Sequence, residues 1–382
     1  MADFVFNVPQ KIILSSYSSS RIGEFIKPWG HKFMIILDPT LMQIEVADKI
    51  TKPLEDRKLD FFIFNDIDEQ ATTKTIDSAL KLARQAHIDG IIAAGGAKAM
   101  NLGRVLASIY YETRSPYEVL DSAEAKAKPQ HLICVPTTMR DRFLFTPYIP
   151  VVDSRSSQVK IIQAPQGVCE AVILDPTLIL YLSDSQKVAM SLETLGLAIE
   201  SYISPKANFF SDMAVEKAVE RLGYASKGVP TLEATTPQEV LLSEGGLMAS
   251  IAAATSSLGA ASLLSLCLNS RYNITSSLIA TILLPHIIDD AKKFKLDRLS
   301  KISRIIRAAD AKSTDSEAAD ALAEYVRQEI AKTNLPARLK DLSVTIDQLA
   351  IISEDAGQTP LINTLQRSMT SDDLFTLIKQ AF

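Results

Sequence analysis

The sequence predicts an α/β domain built on a mainly parallel sheet, followed by an all-α domain. Three observations carry this prediction. The first half of the 382-residue chain alternates short apolar runs with helix-period segments, the pattern of strands joined by crossover helices. The strand signal stops near residue 180. Beyond that point the patterned segments have helical spacing and open with helix-capping pairs. The predicted domains are 1–179 and 180–382.

Taken in order, Lys11-Ile12-Ile13-Leu14 reads as a strand. Phe33 to Leu37 is a second, closed by Asp38-Pro39, and Phe61 to Phe64 is a third. Ile76, Ala79, Leu80, Ala83 and Ala86 recur at helical spacing, and Gly90 is expected to mark that helix's end. Ile91 to Ala94 is a buried strand running into Gly95-Gly96, and a helix carrying Met100, Leu102, Val105 and Leu106 follows. Leu132 to Val135 is stopped by Pro136. Tyr148 to Val152 and Val159 to Ile162 flank Asp153-Ser154-Arg155-Ser156-Ser157 as a hairpin. Ala171 to Leu174 is the last strand, closed by Asp175-Pro176. Ser183 with Gln186 opens a helix to about Ser204, and Thr314 with Glu317 opens one to about Lys332. In such sheets ligands sit at the carboxyl ends of strands. Asp38, Gly95, Gly96, Thr137 and Thr138 all fall there, and the cleft between the domains is the expected seat of a small-molecule ligand.

Composition narrows the function classes. A net charge of -5 argues against a nucleic-acid partner. Cys134, Cys169 and Cys267 form no CxxC pair, so buried reduced thiols in a cytoplasmic protein are expected. The Met1-Ala2-Asp3-Phe4 start lacks a secretory pattern. From Gly245 to Ile288 the one charged residue is Arg271, but the run is rich in serine and threonine. A buried helix pair, not a membrane span, is predicted there.

Several segments together resemble the iron-dependent (group III) alcohol dehydrogenase and dehydroquinate synthase-like superfamily. They are Pro9-Gln10-Lys11-Ile12-Ile13, Ile91 to Lys98, Val135-Pro136-Thr137-Thr138 and Ala171 to Pro176. In the second half they are Ala198-Ile199-Glu200-Ser201-Tyr202, Ala207-Asn208, Leu283-Leu284-Pro285-His286, Leu335-Pro336 and Thr370 to Leu374. They run in order over nearly the whole chain. The resemblance implies a Rossmann-like first domain, a helical second domain, NAD or NADP as cofactor and a homodimer.

The departures from the family pattern are specific. Three glycines and a serine precede an Asp-x-Ala-Lys helix in the family. Here Gly95 and Gly96 remain, while Ala97, Lys98, Asn101 and Arg104 replace the third glycine, the serine, the aspartate and the lysine. Lys98 either attracts phosphate or fills the pocket. The small family loop after Pro-Thr-Thr becomes Met139-Arg140-Asp141-Arg142-Phe143-Leu144. These side chains either occupy space the cofactor needs or form a reshaped loop pointing at solvent. The family's divalent ion, which polarises the substrate oxygen, is held by an aspartate, a histidine four residues on and two later histidines. Those positions hold Glu193, Leu197, Ser262 and Ser276 here, and Leu266 stands where many members carry a further histidine. Leucine cannot ligate and neutral serine is a poor ligand, so no metal is expected. The chain's four histidines, His31, His87, His131 and His286, form no pair at metal-ligand spacing.

The candidate catalytic residues are therefore Lys98, Glu193 and His286. The cofactor-binding candidates are Asp38, Gly95, Gly96, Lys98, Thr137, Thr138 and Arg140. Each has a plainer alternative. Glu193 is either a general base or a salt-bridged helix residue, and His286 either a proton carrier or a hydrogen-bonded structural histidine. Lys98, Arg104, Arg140 and Arg142 either form an anion pocket or pair with nearby acids. Three functions follow: a metal-independent NAD(P)-linked oxidoreductase on a small alcohol or carbonyl, a non-catalytic descendant with a binding or assembly role, and a binder of a phosphorylated small molecule.

Overall fold

The computed structural model describes residues 11–67, 71–164, 168–227 and 236–382. Pro9-Gln10, at the head of the opening motif, lies outside the described residues. The chain divides into two compact units, one ending at Tyr181 and one running from Leu182 to Phe382.

Eight strands lie in the first unit: β1 (Lys11–Leu14), β2 (Lys32–Leu37), β3 (Asp60–Phe64), β4 (Gly90–Gly95), β5 (Leu132–Pro136), β6 (Tyr148–Asp153), β7 (Gln158–Gln163) and β8 (Ala171–Leu174). Six of them form one sheet in the order β1-β8-β5-β4-β2-β3 with every pairing parallel. The remaining two are the predicted hairpin, an antiparallel pair of their own. Its Asp153 is buried at the turn and held by Arg155 and Lys160, which depress its carboxyl well below the usual range.

Helices α1 (Ile22–Ile26), α2 (Val46–Glu55), α3 (Thr73–Ala86), α4 (Ala97–Ile109) and α5 (Pro116–Ser122) complete this unit. One sheet face is dry. Phe33, Ile35 and Leu37 of β2, with Ile92, Ala94, Ile133, Val135 and Ile173 of its neighbours, pack with Ile22, Ile26, Ile50 and Leu54 of α1 and α2. Each fully buried Val, Leu, Ile or Phe side chain among them contributes about 1.5–3 kcal/mol.

The topology places the strand ends. From β2 the chain steps outward to β3, then returns to β2's other side as β4. The reversal point of an open parallel sheet leaves a crevice at the carboxyl ends. Register then aligns those ends, with Leu37 opposite Ala94 and Gly95 opposite Pro136. Two backbone bonds extend the ladder, Asp38 N–H to Ala94 and Thr137 N–H to Gly95, at 3.0 and 2.9 Å.

One predicted boundary is wrong. Helix α3 ends at Ala86, and His87 provides the left-handed turn with φ 52°. Gly90 is the first residue of β4. It is glycine for packing, because a Cβ there would stand 2.9 Å from the Trp29 ring. Asp175, closing β8, has a structural task. Buried, it accepts from the backbone N–H groups of Tyr17, Ser19 and Thr177 and from the hydroxyls of Ser19 and Thr177.

The second unit is helical throughout its described residues: α6 (Asp184–Ile203), α7 (Phe209–Lys227), α8 (Gln238–Thr255), α9 (Ala260–Tyr272), α10 (Ser276–Ala291), α11 (Leu296–Ile305), α12 (Asp315–Lys332), α13 (Ile346–Gln358) and α14 (Ser371–Lys379), with short 3-10 turns between. The predicted capping boxes at Ser183 and Thr314 are both formed, and Thr370 with Asp373 makes another in the tail motif. The apolar stretch from 245 to 288 is not a helix pair. It is shared by α8, α9 and α10, because Gly259 and the left-handed Asn273 break it twice. No single helix among the described residues is long and apolar enough to cross a membrane, and α8 and α9 are bent by 100° at their junction. Cys134, Cys169 and Cys267 are buried free thiols.

Candidate functional site

The strand ends of β2, β4 and β5 bring Asp38, Gly95, Gly96, Thr137 and Thr138 together at the start of α4. Gly95 has φ +147°, and a Cβ there would stand 2.6 Å from the Asp38 Cβ and 2.9 Å from the Ala99 Cβ. Only glycine makes this turn without strain. Gly96 is different. Its backbone is extended, and a Cβ would meet only Thr138 Cγ2 at 3.6 Å and Asp38 Oδ2 at 3.8 Å among the described residues. No side chain caps α4 at Gly96, so the N–H groups of its first turn face a ligand or solvent. Ala97, standing for the third glycine, lies within this first helical turn at ordinary φ, so its methyl is tolerated. Helix α4 sits close on its own strand, since a Cβ on Gly103 would stand 2.5 Å from the Ala93 Cβ. At its far end Arg84 donates to the carbonyls of Ile109, Tyr110 and Glu112.

Asp38 is buried, and its Oδ1 accepts from Thr40 N–H at 3.2 Å and from the Thr40 hydroxyl at 2.9 Å. Lys98, in the first turn of α4, brings its Nζ to 3.6 Å from the same oxygen, with the two side chains 20% and 10% exposed. Lys98 thus neither fills the pocket as an inert side chain nor stands free, because it is the counter-ion of Asp38.

The loop after Thr138 turns inward. Met139, Phe143, Leu144 and Phe145 are at most 6% exposed, so a loop pointing at solvent is excluded. Asp141 organises it by accepting from the N–H groups of Phe143 and Leu144. Burial, with Arg142 beside it, lowers the pKa of Arg140 from its ordinary value, against the opposing pull of Asp141. Beneath lies Arg104, 1% exposed, with one Nη donating to the Thr146 carbonyl. Burial lowers it too, opposed by Asp141.

In the helical unit, two of the four positions that the resemblance assigns to a metal meet. Ser276, opening α10, donates to Glu193 of α6 at 3.4 Å, and Glu193 is buried. Leu197 is buried and apolar. Ser262 gives its hydroxyl to Glu200 at 2.5 Å. Glu200 was legible only as part of a helix motif, yet it holds this region together. Buried at 1% exposure, it also accepts from the N–H groups of Ala261 and Ser262 at 2.7 and 3.2 Å, while Gln366 accepts from Ala260. A side chain from α6 thereby caps α9. The nearby Gly259 is required, because a Cβ there would stand 2.6 Å from the Glu200 carboxyl carbon. Among the described residues no three His, Cys, Asp or Glu side chains are grouped to hold a metal ion. One carboxylate, one leucine and two serines do not fit the ligand set of iron or zinc.

His286 does not join this cluster. It lies ten residues beyond Ser276 on the same helix, roughly 15 Å along the axis. It makes no hydrogen bond to another described residue. Burial, then the Arg327 guanidinium, lowers its pKa, against the pull of Asp289.

The "Iron-containing alcohol dehydrogenase" family model matches residues 9–176, and the "Fe-containing alcohol dehydrogenase family, C-terminal" model matches residues 187–382. Lactaldehyde reductase of Escherichia coli (strain K12) is 22% identical over 368 residues, covering 94% of this chain and 95% of that protein. The crystal structure of a 1,3-propanediol oxidoreductase superposes with a TM-score of 0.91 at 19% identity, covering 100% of both chains. Sulfoacetaldehyde reductase from Bifidobacterium kashiwanohense, solved in complex with NAD+, superposes with a TM-score of 0.82 at 18% identity, covering 100% of this chain and 98% of that one.

Proposed function

The chain belongs to the iron-containing alcohol dehydrogenase family, and on that premise we propose that it binds a nicotinamide nucleotide through its first unit and does so without a divalent metal. The observation that carries this reading is the open Gly96 at the uncapped start of α4. A pyrophosphate there would accept from first-turn N–H groups at the positive end of the helix dipole. The wide turn at Gly95 and the buried Asp38 supply the rest of a dinucleotide seat. The buried loop from Met139 to Phe145 narrows the surroundings, but it leaves the point above Gly96 clear.

A bound nicotinamide would supply a hydride to a small aldehyde or ketone. The chain's own residues would then position that carbonyl, with no Lewis acid to polarise it. A second reading, a nucleotide-binding descendant without catalysis, is favoured by one specific arrangement. The Ser276 proton is directed at Glu193 and the Ser262 proton at Glu200, so neither hydroxyl presents a donor to a developing alkoxide.

Calorimetric titration of the purified chain with NADH and NADPH, in EDTA and after added iron(II) or zinc(II), tests the proposal. Saturable binding in EDTA, unchanged by either metal, is the expected result. Binding that appears only with metal, or none at all, rejects it. Aldehyde-dependent oxidation of NADPH or NADH in EDTA then separates the oxidoreductase from the non-catalytic reading.

A further inference from the structure

We infer that the helical unit holds a small-molecule site of its own, a cavity between α6, α7, α8 and α12 that takes a neutral single-ring molecule carrying one hydroxyl, a phenol. The inference does not depend on the nucleotide-binding reading above. Residues four apart on a helix stack on one face, and each of the four helices presents such a pair to the same space, as Leu222 and Ser226 do from α7. The cavity has a volume of about 160 Å³. That is close to the roughly 150 Å³ of an apolar cavity that stays dry and admits benzene. It is well below the 300 Å³ or so that a drug-sized ligand needs, so the guest is limited to one ring.

The wall sets the rest of the guest's chemistry. Leu192, Leu222 and Leu242 are at most 4% exposed and offer no polar atom. The charged and amide side chains that line the cavity are engaged. Lys187 has Asp184 at 3.7 Å, Glu329 has Lys332 at 2.8 Å, and the Gln238 amide donates to the Ala225 carbonyl at 2.9 Å. A charged guest would find its counter-ion already taken. The hydroxyls of Ser226 and Tyr325 differ. They lie 3.1 Å apart, and either can donate to the other. Two hydroxyls carry two protons, and the bond between them uses one. Burial raises the pKa of Tyr325 above its ordinary value, so its phenol stays neutral and protonated. A guest hydroxyl can accept the second proton and return its own to an open lone pair. A hydrocarbon can do neither.

The test is a fluorine NMR titration of para-fluorophenol and of fluorobenzene into the full chain and two variants, with circular dichroism melts to confirm folding. Leu242→Trp fills the cavity. The double variant Ser226→Ala with Tyr325→Phe removes both hydroxyls and so leaves neither unpaired. The parent is expected to bind para-fluorophenol with a dissociation constant on the order of 1 mM or below, and at least as tightly as fluorobenzene. A dry void would reject the phenol, whose hydroxyl would be buried without a partner. Leu242→Trp should lose both probes. The double variant should weaken para-fluorophenol roughly tenfold, the scale of one hydrogen bond left unmade, and change fluorobenzene less than about threefold. No binding of para-fluorophenol by the parent overturns the inference and leaves a cavity that holds only water. Tighter binding of fluorobenzene than of the phenol overturns it by making the site a plain void. Undiminished binding by folded Leu242→Trp overturns it by placing the probe elsewhere. If Leu242→Trp does not fold, the double variant decides, and an unchanged phenol affinity there overturns the inference.

Discussion

Replacing Glu200 with alanine should loosen the helical unit more than any surface substitution on it. The carboxylate is 1% exposed and takes at least three donors, the N–H groups of Ala261 and Ser262 and the Ser262 hydroxyl. Both acceptor atoms disappear in Glu200→Ala, and α9 keeps only the Gln366 part of its cap. A buried donor left without a partner costs about 1–3 kcal/mol, but the three will not add. The serine hydroxyl can turn to another acceptor, and the vacated volume beside Gly259 admits a water. A net loss of about 3 kcal/mol follows, equivalent to roughly 6–12 °C in melting temperature for a unit of this size. Glu200→Gln keeps one acceptor oxygen and should lose about 1–2 kcal/mol. Urea unfolding followed by far-ultraviolet circular dichroism measures both. The single tryptophan, Trp29, lies in the first unit, so its fluorescence reports on that unit. An alanine variant with the parent's urea midpoint would refute the capping role, and so would equal losses in the alanine and glutamine variants.

Two further perturbations test the first unit. Gly95→Ala forces φ +147° on an L-residue and drives its methyl to 2.6 Å from the Asp38 Cβ, so a thermal melt read by Trp29 should show a loss of about 2–4 kcal/mol. Glu112 is held down at about 2 by Arg114 and then by the N–H groups of Lys126 and Ala127, against an ordinary value of 4.5. A depressed carboxyl stabilises the fold above pH 4.5 and loses that contribution as pH falls toward 2. Solvent screening reduces it to about 1–2 kcal/mol. Across that window Glu112→Gln should show a flatter acid profile than the parent, and an unchanged slope would refute it.

Much of the first unit was legible because its strands are short apolar runs with sharp ends. Phe33 to Leu37 and Ile91 to Ala94 are buried on both faces, and Asp38-Pro39 and Gly95-Gly96 stop them. A helix end is fainter. The residue closing α3 is His87, which adopts the left-handed conformation at some strain, so the eye moves on to Gly90, whose glycine serves the packing of Trp29 instead. The apolar stretch after Gly245 hides its breaks for another reason. Ser256 to Gly259 looks like more of the same small-residue run, and only the close approach of Glu200 shows why glycine stands there.

The site residues were legible as positions, and their pairings were not. Asp38 and Lys98 come together because β2 and β4 are neighbours, and no local spacing announces that. Glu193 and Ser276 meet for the same kind of reason, through the packing of α6 against α10. His286 drew notice as one of few histidines, but its helix carries it away from Ser276.

Titration of NADPH into the Gly96→Val variant beside the parent chain tests the phosphate cradle most directly. Valine is compatible with the extended backbone at Gly96 and has room for its Cβ, so the melting temperature should stay within about 2 °C of the parent's. Its methyls would stand where the pyrophosphate must approach the helix N-terminus. The expected result is saturable binding by the parent and a loss of roughly a hundredfold or more in the variant. Equal affinity in the two proteins, both folded, would contradict the assignment of Gly96 and α4 as the nucleotide seat.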